Sequence, residues 1–253
     1  MGLDVAHRLE LVEERIEAAC RRSGRKREEL KLMGVTKSQS LETVEAAWNA
    51  GIRLFGESRV LEGREKFIKF REARGWNGNL DEKINEKFIE ENFELHLIGS
   101  LQRNKAKTAA AFFDCIQSVD RDSLIGELGA LTAGRDSPLS ILLEYHTGEE
   151  TKAGFPDLDS LFKAAEMVLS FPGLRPLGLM TMAPFTTDTA IIRASFRKLT
   201  AARDELVKRF SPGINSANWS CLSMGMTNDY EIAIEEGATL IRIGTAIFGE
   251  GRT

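Results

Sequence analysis

Lys37 closes the apolar run Lys31 to Thr36 and stands two residues past Val35, so a strand here turns both side chains to one face. A lysine at such a junction projects a primary amine beyond the sheet, where it can act as a Schiff-base nucleophile. Far along the chain two further runs end in glycines and hydroxyls: CLSMGMTND, with Ser223 and Gly225, and RIGTAIFG, with Arg242, Gly244 and Thr245. Glycines let backbone N–H groups approach phosphate oxygens, and hydroxyls add donors. A reactive amine beside a phosphate cup suits a phosphorylated aldehyde held as an imine. Pyridoxal phosphate meets both demands, and so does a sugar phosphate in a class I aldolase. Arg242 speaks to the difference. A guanidinium only donates, so facing a pyridine nitrogen it keeps that nitrogen unprotonated.

These residues need a frame that brings the two ends of the chain together. Eight apolar runs read as strands: 31 to 36, 52 to 55, 94 to 98, 113 to 118, 138 to 144, 174 to 180, 218 to 222 and 239 to 243. Amphipathic helices lie between them. One starts at Ser40 as N-cap, carries Leu41, Val44 and Trp48 on one face and stops at Gly51; another starts near Thr227 or Asn228 and stops at Gly237. Strands too apolar to face water, alternating with helices, form a parallel sheet covered on its faces. Eight such units predict an α/β fold, a (β/α)8 TIM barrel, with residues 1–253 as a single domain. Too few residues follow the last strand for a full eighth helix, so the amphipathic N-terminal helix, with Leu9, Val12 and Ile16, is expected to fill that gap. Residues 75–93, polar and Gly/Asn-rich before becoming charged, read as an elaborated surface connection rather than a lid. In such a barrel the active face lies at the carboxyl ends of the strands, with phosphate held after strands seven and eight. Lys37 and the two glycine loops all fall there.

The 253 residues carry 34 basic and 38 acidic side chains, a net charge of -4 and 42% hydrophobic residues. That balance provides no general field for nucleic acid or an anionic membrane, so an anionic ligand needs a local site. Neither a signal peptide nor a membrane span fits the charged N-terminus. Cys20, Cys115 and Cys221 are far apart with no CxxC, as expected of free buried thiols in a reducing, cytoplasmic setting. His7, His96 and His146 form no HxH or HExxH spacing, and no metal site is expected. The basic run Arg103 to Lys107 reads as a solvated helix start. Met180, Met182, Met224 and Met226 fit a cofactor-facing wall and core packing equally well.

Seven segments together resemble the pyridoxal phosphate homeostasis proteins: VTK (Val35 to Lys37), FGESRVLEG (Phe55 to Gly63), HLIGSLQRNK (His96 to Lys105), SVDR (Ser118 to Arg121), GLMTMAP (Gly178 to Pro184), LSMGMTNDYE (Leu222 to Glu231) and RIGTAIFG (Arg242 to Gly249). The resemblance spans about residues 5 to 249. It implies a fold-type III barrel like the N-terminal domain of alanine racemase, with Lys37 carrying pyridoxal 5'-phosphate as an aldimine. It also implies phosphate contacts from Ser223, Gly225, Gly244 and Thr245, and Arg242 near the ring nitrogen. Proteins of this kind bind and supply the cofactor, with apo-PLP enzymes as recipients and a monomer as the expected state. Ser58 stands where the family usually has Asn beside the glutamate, implying a shorter-reaching or water-mediated hydrogen bond; Ser100 replaces a residue that is often His. The competing function is a PLP-dependent amino-acid racemase. A two-base racemase of the related type takes a tyrosine from an additional domain, and the only tyrosines, Tyr145 and Tyr230, lie in no such segment.

Overall fold

The computed structural model describes residues 4–76, 92–148, 153–210 and 219–250. Eight strands close into a barrel in sequence order, every neighbouring pair parallel. They are β1 (Lys31–Val35), β2 (Leu54–Glu57), β3 (Glu94–Leu97), β4 (Cys115–Val119), β5 (Leu139–Glu144), β6 (Leu174–Met180), β7 (Cys221–Ser223) and β8 (Leu240–Ile243). Around them lie α1 (Val5–Ser23), α2 (Leu41–Asn49), α3 (Val60–Ala73), α4 (Ala106–Phe112), α5 (Asp122–Thr132), α6 (Leu158–Leu169), α7 (Thr189–Phe210), α8 (Tyr230–Glu235) and α9 (Thr245–Phe248). This is the expected (β/α)8 barrel. Residues 77–91, most of the expected surface connection, lie outside the described residues.

Strand periodicity sorts side chains into two cores. Phe55, Leu95, Leu97, Ile116, Ile141, Leu143, Leu179, Leu222, Ile241 and Ile243 face outward and pack against the helices. Their alternates, Met33, Val35, Leu54 and Leu240 on one side and Cys115, Leu142 and Met180 on the other, fill the barrel. Ser40 caps α2 by accepting from Thr43 N at 3.3 Å, and Gly51 past its end has φ +104, as the sequence implied. Trp48 of α2 packs edge-on against Phe70 of α3 and Trp76, with Arg53 stacked 3.9 Å from its ring centroid.

Most strand bounds differ from expectation by one to three residues, and two differences matter to the site. Ile52 N donates to Ala47 O, so Ile52 belongs to the exit from α2, and β2 runs instead through Gly56 and Glu57. β7 is only three residues long and begins at Cys221.

α1 does fill the place of an eighth helix. Its buried stripe is Leu9, Val12, Ile16, Ala19 and Cys20, and it packs against α8 and α9. Beyond its C-terminus, Arg25 donates to the carbonyls of Ile234 at 2.9 Å and Ala238 at 2.6 Å, tying it to the end of α8.

The inside of the barrel is not wholly apolar. Glu144 follows Leu142 on the inward face and is 5% exposed. Burial pushes its carboxyl up from 4.5 to about 7; the charge of Asp120 adds to this and Arg242 opposes it. Between those two values the folded chain binds a proton that the unfolded chain has released, so this group's contribution to stability falls as pH rises from about 4.5 through about 7. The loss is of the order of 3 kcal/mol, at 1.36 kcal/mol for each pK unit. Glu144→Gln should remove that component. Urea unfolding at pH 5 and pH 8 should give the variant a smaller loss of stability between the two pH values than wild type. Equal losses would show that Glu144 titrates as it does in the unfolded chain.

Candidate functional site at the carboxyl end of the barrel

A cavity of about 440 Å³ opens at the carboxyl ends of the strands. Lys37, Arg242, Gly244 and Thr245 all line it, from the two strands that meet where the barrel closes, β1 and β8. Four of the six site residues inferred from sequence therefore come together.

Lys37 stands in a turn after β1. Gln39 N donates to Thr36 O at 3.1 Å, and Ser38 takes φ +58, a left-handed conformation uncommon for a residue with a Cβ. Ser38 N is held by Glu62 Oε1 at 2.9 Å. Beneath the turn, between the barrel and α3, Thr36 Oγ1 donates to Glu57 Oε1 at 2.7 Å. Lys66 Nζ donates to that same oxygen at 3.0 Å and to Thr36 O at 2.7 Å. Burial pushes the Glu57 carboxyl up, while the charge of Lys66 pulls it back. Removing one member of a buried pair costs about 3 to 5 kcal/mol, because the other charge is left uncompensated. Glu57 and Lys66 thus fix the residue next to Lys37, a support that sequence reading missed although Glu57 lies within a motif it singled out.

Arg242 forms the cavity floor and is 4% exposed. Nη1 donates to Ser223 Oγ at 2.7 Å and Nη2 to Thr181 O at 2.9 Å. Burial lowers its pKa to about 10, opposed by the charges of Asp229 and Glu144, so the guanidinium stays charged at neutral pH. These two bonds leave further N–H donors of the five for the cavity.

Ser223 and Gly225 stand apart from the four that line the cavity. Ser223 shares the inward face of β7 with Cys221, is fully buried, and lies beneath Arg242 with its hydroxyl committed on both sides. It does not line the cavity. Gly225 has φ +91, and a Cβ there would stand 2.5 Å from that of Ala233. It turns the loop under α8, and its carbonyl accepts from Arg242 N at 3.0 Å. The hydroxyl that reaches the cavity from this loop is that of Thr227, which also accepts from Ala246 N at 3.4 Å beside Gly244 and Thr245. The available signal was the second hydroxyl of CLSMGMTND, past the glycine and clear of the strand.

The opposite wall is apolar, with Met182, Ala183, Pro184, Ile192 and Met226. Met180 and Met224 are core residues, so the methionines divide between the two readings. Ser58 and Gly99 complete the rim. A Cβ on Gly99 would fall 2.1 Å from Ser58 O, so only glycine lets these two strand ends approach. His146, by contrast, is outside the cavity, facing Gly148 O at 3.0 Å, and Arg103 of the basic run pairs with Glu127 at 3.0 Å. One amine, one fixed cation and a cup of hydroxyls and backbone form a receptacle for a phosphorylated, carbonyl-bearing molecule.

Known proteins share both sequence and architecture. Residues 8–251 match the family described as alanine racemase, N-terminal domain. The pyridoxal phosphate homeostasis protein of Aquifex aeolicus is 35% identical over 249 residues, covering 98% of this chain and 99% of the relative. That of Escherichia coli K12 is 34% identical over 246 residues, covering 97% and 96%. Among solved structures, PipY of Synechococcus elongatus with PLP bound superimposes with a TM-score of 0.77 at 27% identity, covering 97% of this chain and all of PipY. Alanine racemase from E. faecalis, 17% identical with a TM-score of 0.64, shares the fold over 98% of this chain but only 59% of its own. The chain belongs to the family of the alanine racemase N-terminal domain and stands within it among the pyridoxal phosphate homeostasis proteins.

Proposed function

We propose that this chain binds pyridoxal 5'-phosphate on Lys37 and serves to hold and supply it, rather than to turn over a substrate. The observation that carries this reading is the meeting of Lys37, Arg242, Thr227, Gly244 and Thr245 around one cavity. The residues present suit the group. Lys37 provides the amine for the aldehyde, Thr227 and Thr245 with the backbone at Gly244 provide donors for the phosphate, and Arg242 provides a donor-only cation for the ring nitrogen. When bound, the cofactor supplies an electron-accepting ring, which an unprotonated nitrogen weakens. The names of the curated relatives and the PLP-bound PipY structure agree with this reading. Release to apo-PLP enzymes in the cytoplasm is the corresponding role.

Racemisation requires a base on each face of the reacting carbon. Lys37 serves one face. Asp229, the only carboxylate lining the cavity among the described residues, is engaged by Met226 N at 2.6 Å. Tyr145 and Tyr230 are buried outside the lining. Each missing general acid or base forfeits about two to four orders of magnitude in rate.

Borohydride reduction of the cofactor-loaded protein should leave a pyridoxyl group on Lys37, mapped by peptide mass, and Lys37→Ala should lose the visible band while remaining folded. A reducible adduct retained on Lys105 or Lys107 would assign the site elsewhere. Thr227→Val with Thr245→Val removes two charge-assisted hydrogen bonds of roughly 1.5 to 3 kcal/mol each, so retention of pyridoxal phosphate should fall about tenfold or more, with pyridoxal scarcely affected. Equal losses for both vitamers would remove the phosphate assignment. In heavy water, L-alanine and L-serine incubated with the loaded protein should give deuterated D-isomer no faster than with free cofactor, by chiral chromatography. Lys37-dependent turnover at ordinary enzymatic rates would make the chain a racemase.

A further inference from the structure

A line of hydrogen bonds crosses the inside of the barrel beneath the cavity. Arg242 Nη1 donates to Ser223 Oγ at 2.7 Å, and Ser223 Oγ donates to Gln117 Oε1 at 2.6 Å. Gln117 Nε2 donates to His96 Nδ1 at 2.8 Å, and His96 Nε2 donates to Glu94 Oε2 at 3.2 Å. Glu94 Oε1 then receives Lys31 Nζ at 2.9 Å. The line runs from β8 through β7, β4 and β3 to the first residue of β1. Arg242, Ser223, Gln117 and His96 are all buried, whereas the Glu94 and Lys31 side chains are 41% and 62% exposed. It therefore begins in the cavity floor and ends in solvent at the amino end of the barrel.

Its direction is imposed from both ends. A guanidinium only donates, so the Ser223 oxygen accepts and its proton passes onward. At the other end the Lys31 ammonium on Oε1 keeps Glu94 an ionised carboxylate, which only accepts, so His96 Nε2 must carry a proton. One orientation of the Gln117 amide satisfies both demands, with oxygen toward Ser223 and nitrogen toward His96. The reverse would direct its N–H at a Ser223 oxygen that already accepts, strand the serine proton, and set an oxygen against the Nδ1 lone pair. His96 is thus the Nε2–H tautomer, and every donor points away from Arg242.

Barrel interiors of this type are ordinarily filled by branched apolar side chains. A polar line in that place is tolerated only when fully satisfied, and its one connection to the cavity is Arg242. We propose that Ser223, Gln117 and His96 are positioning residues for Arg242: the one-directional line sets the height and rotation of the guanidinium, and with them its register to the ring nitrogen of the bound cofactor. This rests on the reading of the cavity as a pyridoxal phosphate site.

Two measurements test it. In the cofactor-free full chain, long-range ¹H–¹⁵N correlation of the imidazoles should show His96 as the Nε2–H tautomer, and Gln117→Met should abolish that single tautomer. In the loaded protein, Ser223→Ala and Gln117→Met should each shift the visible band and its pH profile and weaken retention about 3- to 30-fold. The loss should be the same for pyridoxal as for its phosphate, unlike that of the Thr227 and Thr245 variants. The double variant should lose no more than the worse single one, because both break one line. An Nδ1–H tautomer in the wild-type chain would overturn the proposal. So would variants that unfold more easily yet load normally with unchanged spectra. If Gln117→Met does not fold, Ser223→Ala decides by the same readouts. Failure of the wild-type chain to take up the cofactor overturns the cavity reading and this proposal together.

Discussion

Arg242 carries a positive charge into the middle of a closed barrel, and much of the interior is arranged around that charge. A buried ion without partners costs several kcal/mol, and a guanidinium cannot escape the cost by readily losing its proton. Here the charge is met by a serine hydroxyl and the Thr181 carbonyl, with Glu144 and Asp229 near enough to oppose its loss. Each partner creates a further obligation. Ser223, once it accepts from Arg242, must pass its proton on, and the obligation travels through Gln117 and His96 until it reaches Glu94 at the solvent-facing end. Glu144 is raised by the same burial, and Arg242 limits how far it rises. Charge in the floor and polarity in the interior are thus one arrangement.

Period and parity explain what could be read from the chain and what could not. The outward faces of the strands form a continuous apolar layer, and the helices between them carry caps such as Ser40, so the eight-unit barrel was legible. Lys37 and Arg242 were legible because each sits at or near the carboxyl end of a strand, where the fold alone dictates proximity. Ser223 stands outside the cavity lining because the face it shares with Cys221 points into the barrel, below the level of the cavity. Thr227 was missed because a loop has no period to say which hydroxyl reaches inward. The interior line was invisible for another reason, since its members are 19, 106 and 21 residues apart and meet only through closure of the barrel. Glu57 lies beyond the strand expected over 52 to 55, and Lys66 and Thr36 supply the partners that permit its burial in β2.

The distant racemase shows what the fold by itself conveys. At 17% identity it shares the barrel and matches 59% of its own length, so similarity of architecture says nothing of the second base. The difference between holding a cofactor and using it rests on the residues around the reacting carbon. In this cavity one wall is a methionine and proline surface with no titratable group, and the carboxylate on the rim is already engaged by backbone.

The site also depends on the seam where β8 returns to β1. Lys37 comes from one side of that seam and Gly244 and Thr245 from the other, so the distance from the amine to the loop after β8 is set by how tightly the barrel closes there. No full-length helix follows β8 among the described residues; α9 has four residues. α1 covers the seam instead, with Arg25 donating to two carbonyls at the end of α8 and Arg15 and Arg22 binding Glu231 and Glu235. The exposed ion pairs contribute little individually, whereas the buried stripe of α1 and the carbonyl contacts of Arg25 secure its position. A helix that contributes no residue to the cavity lining therefore maintains the spacing on which the cofactor reading depends. The same closure that brings Lys37 to the loop after β8 seats Arg242 beside β1, so both halves of the proposed site share one structural cause.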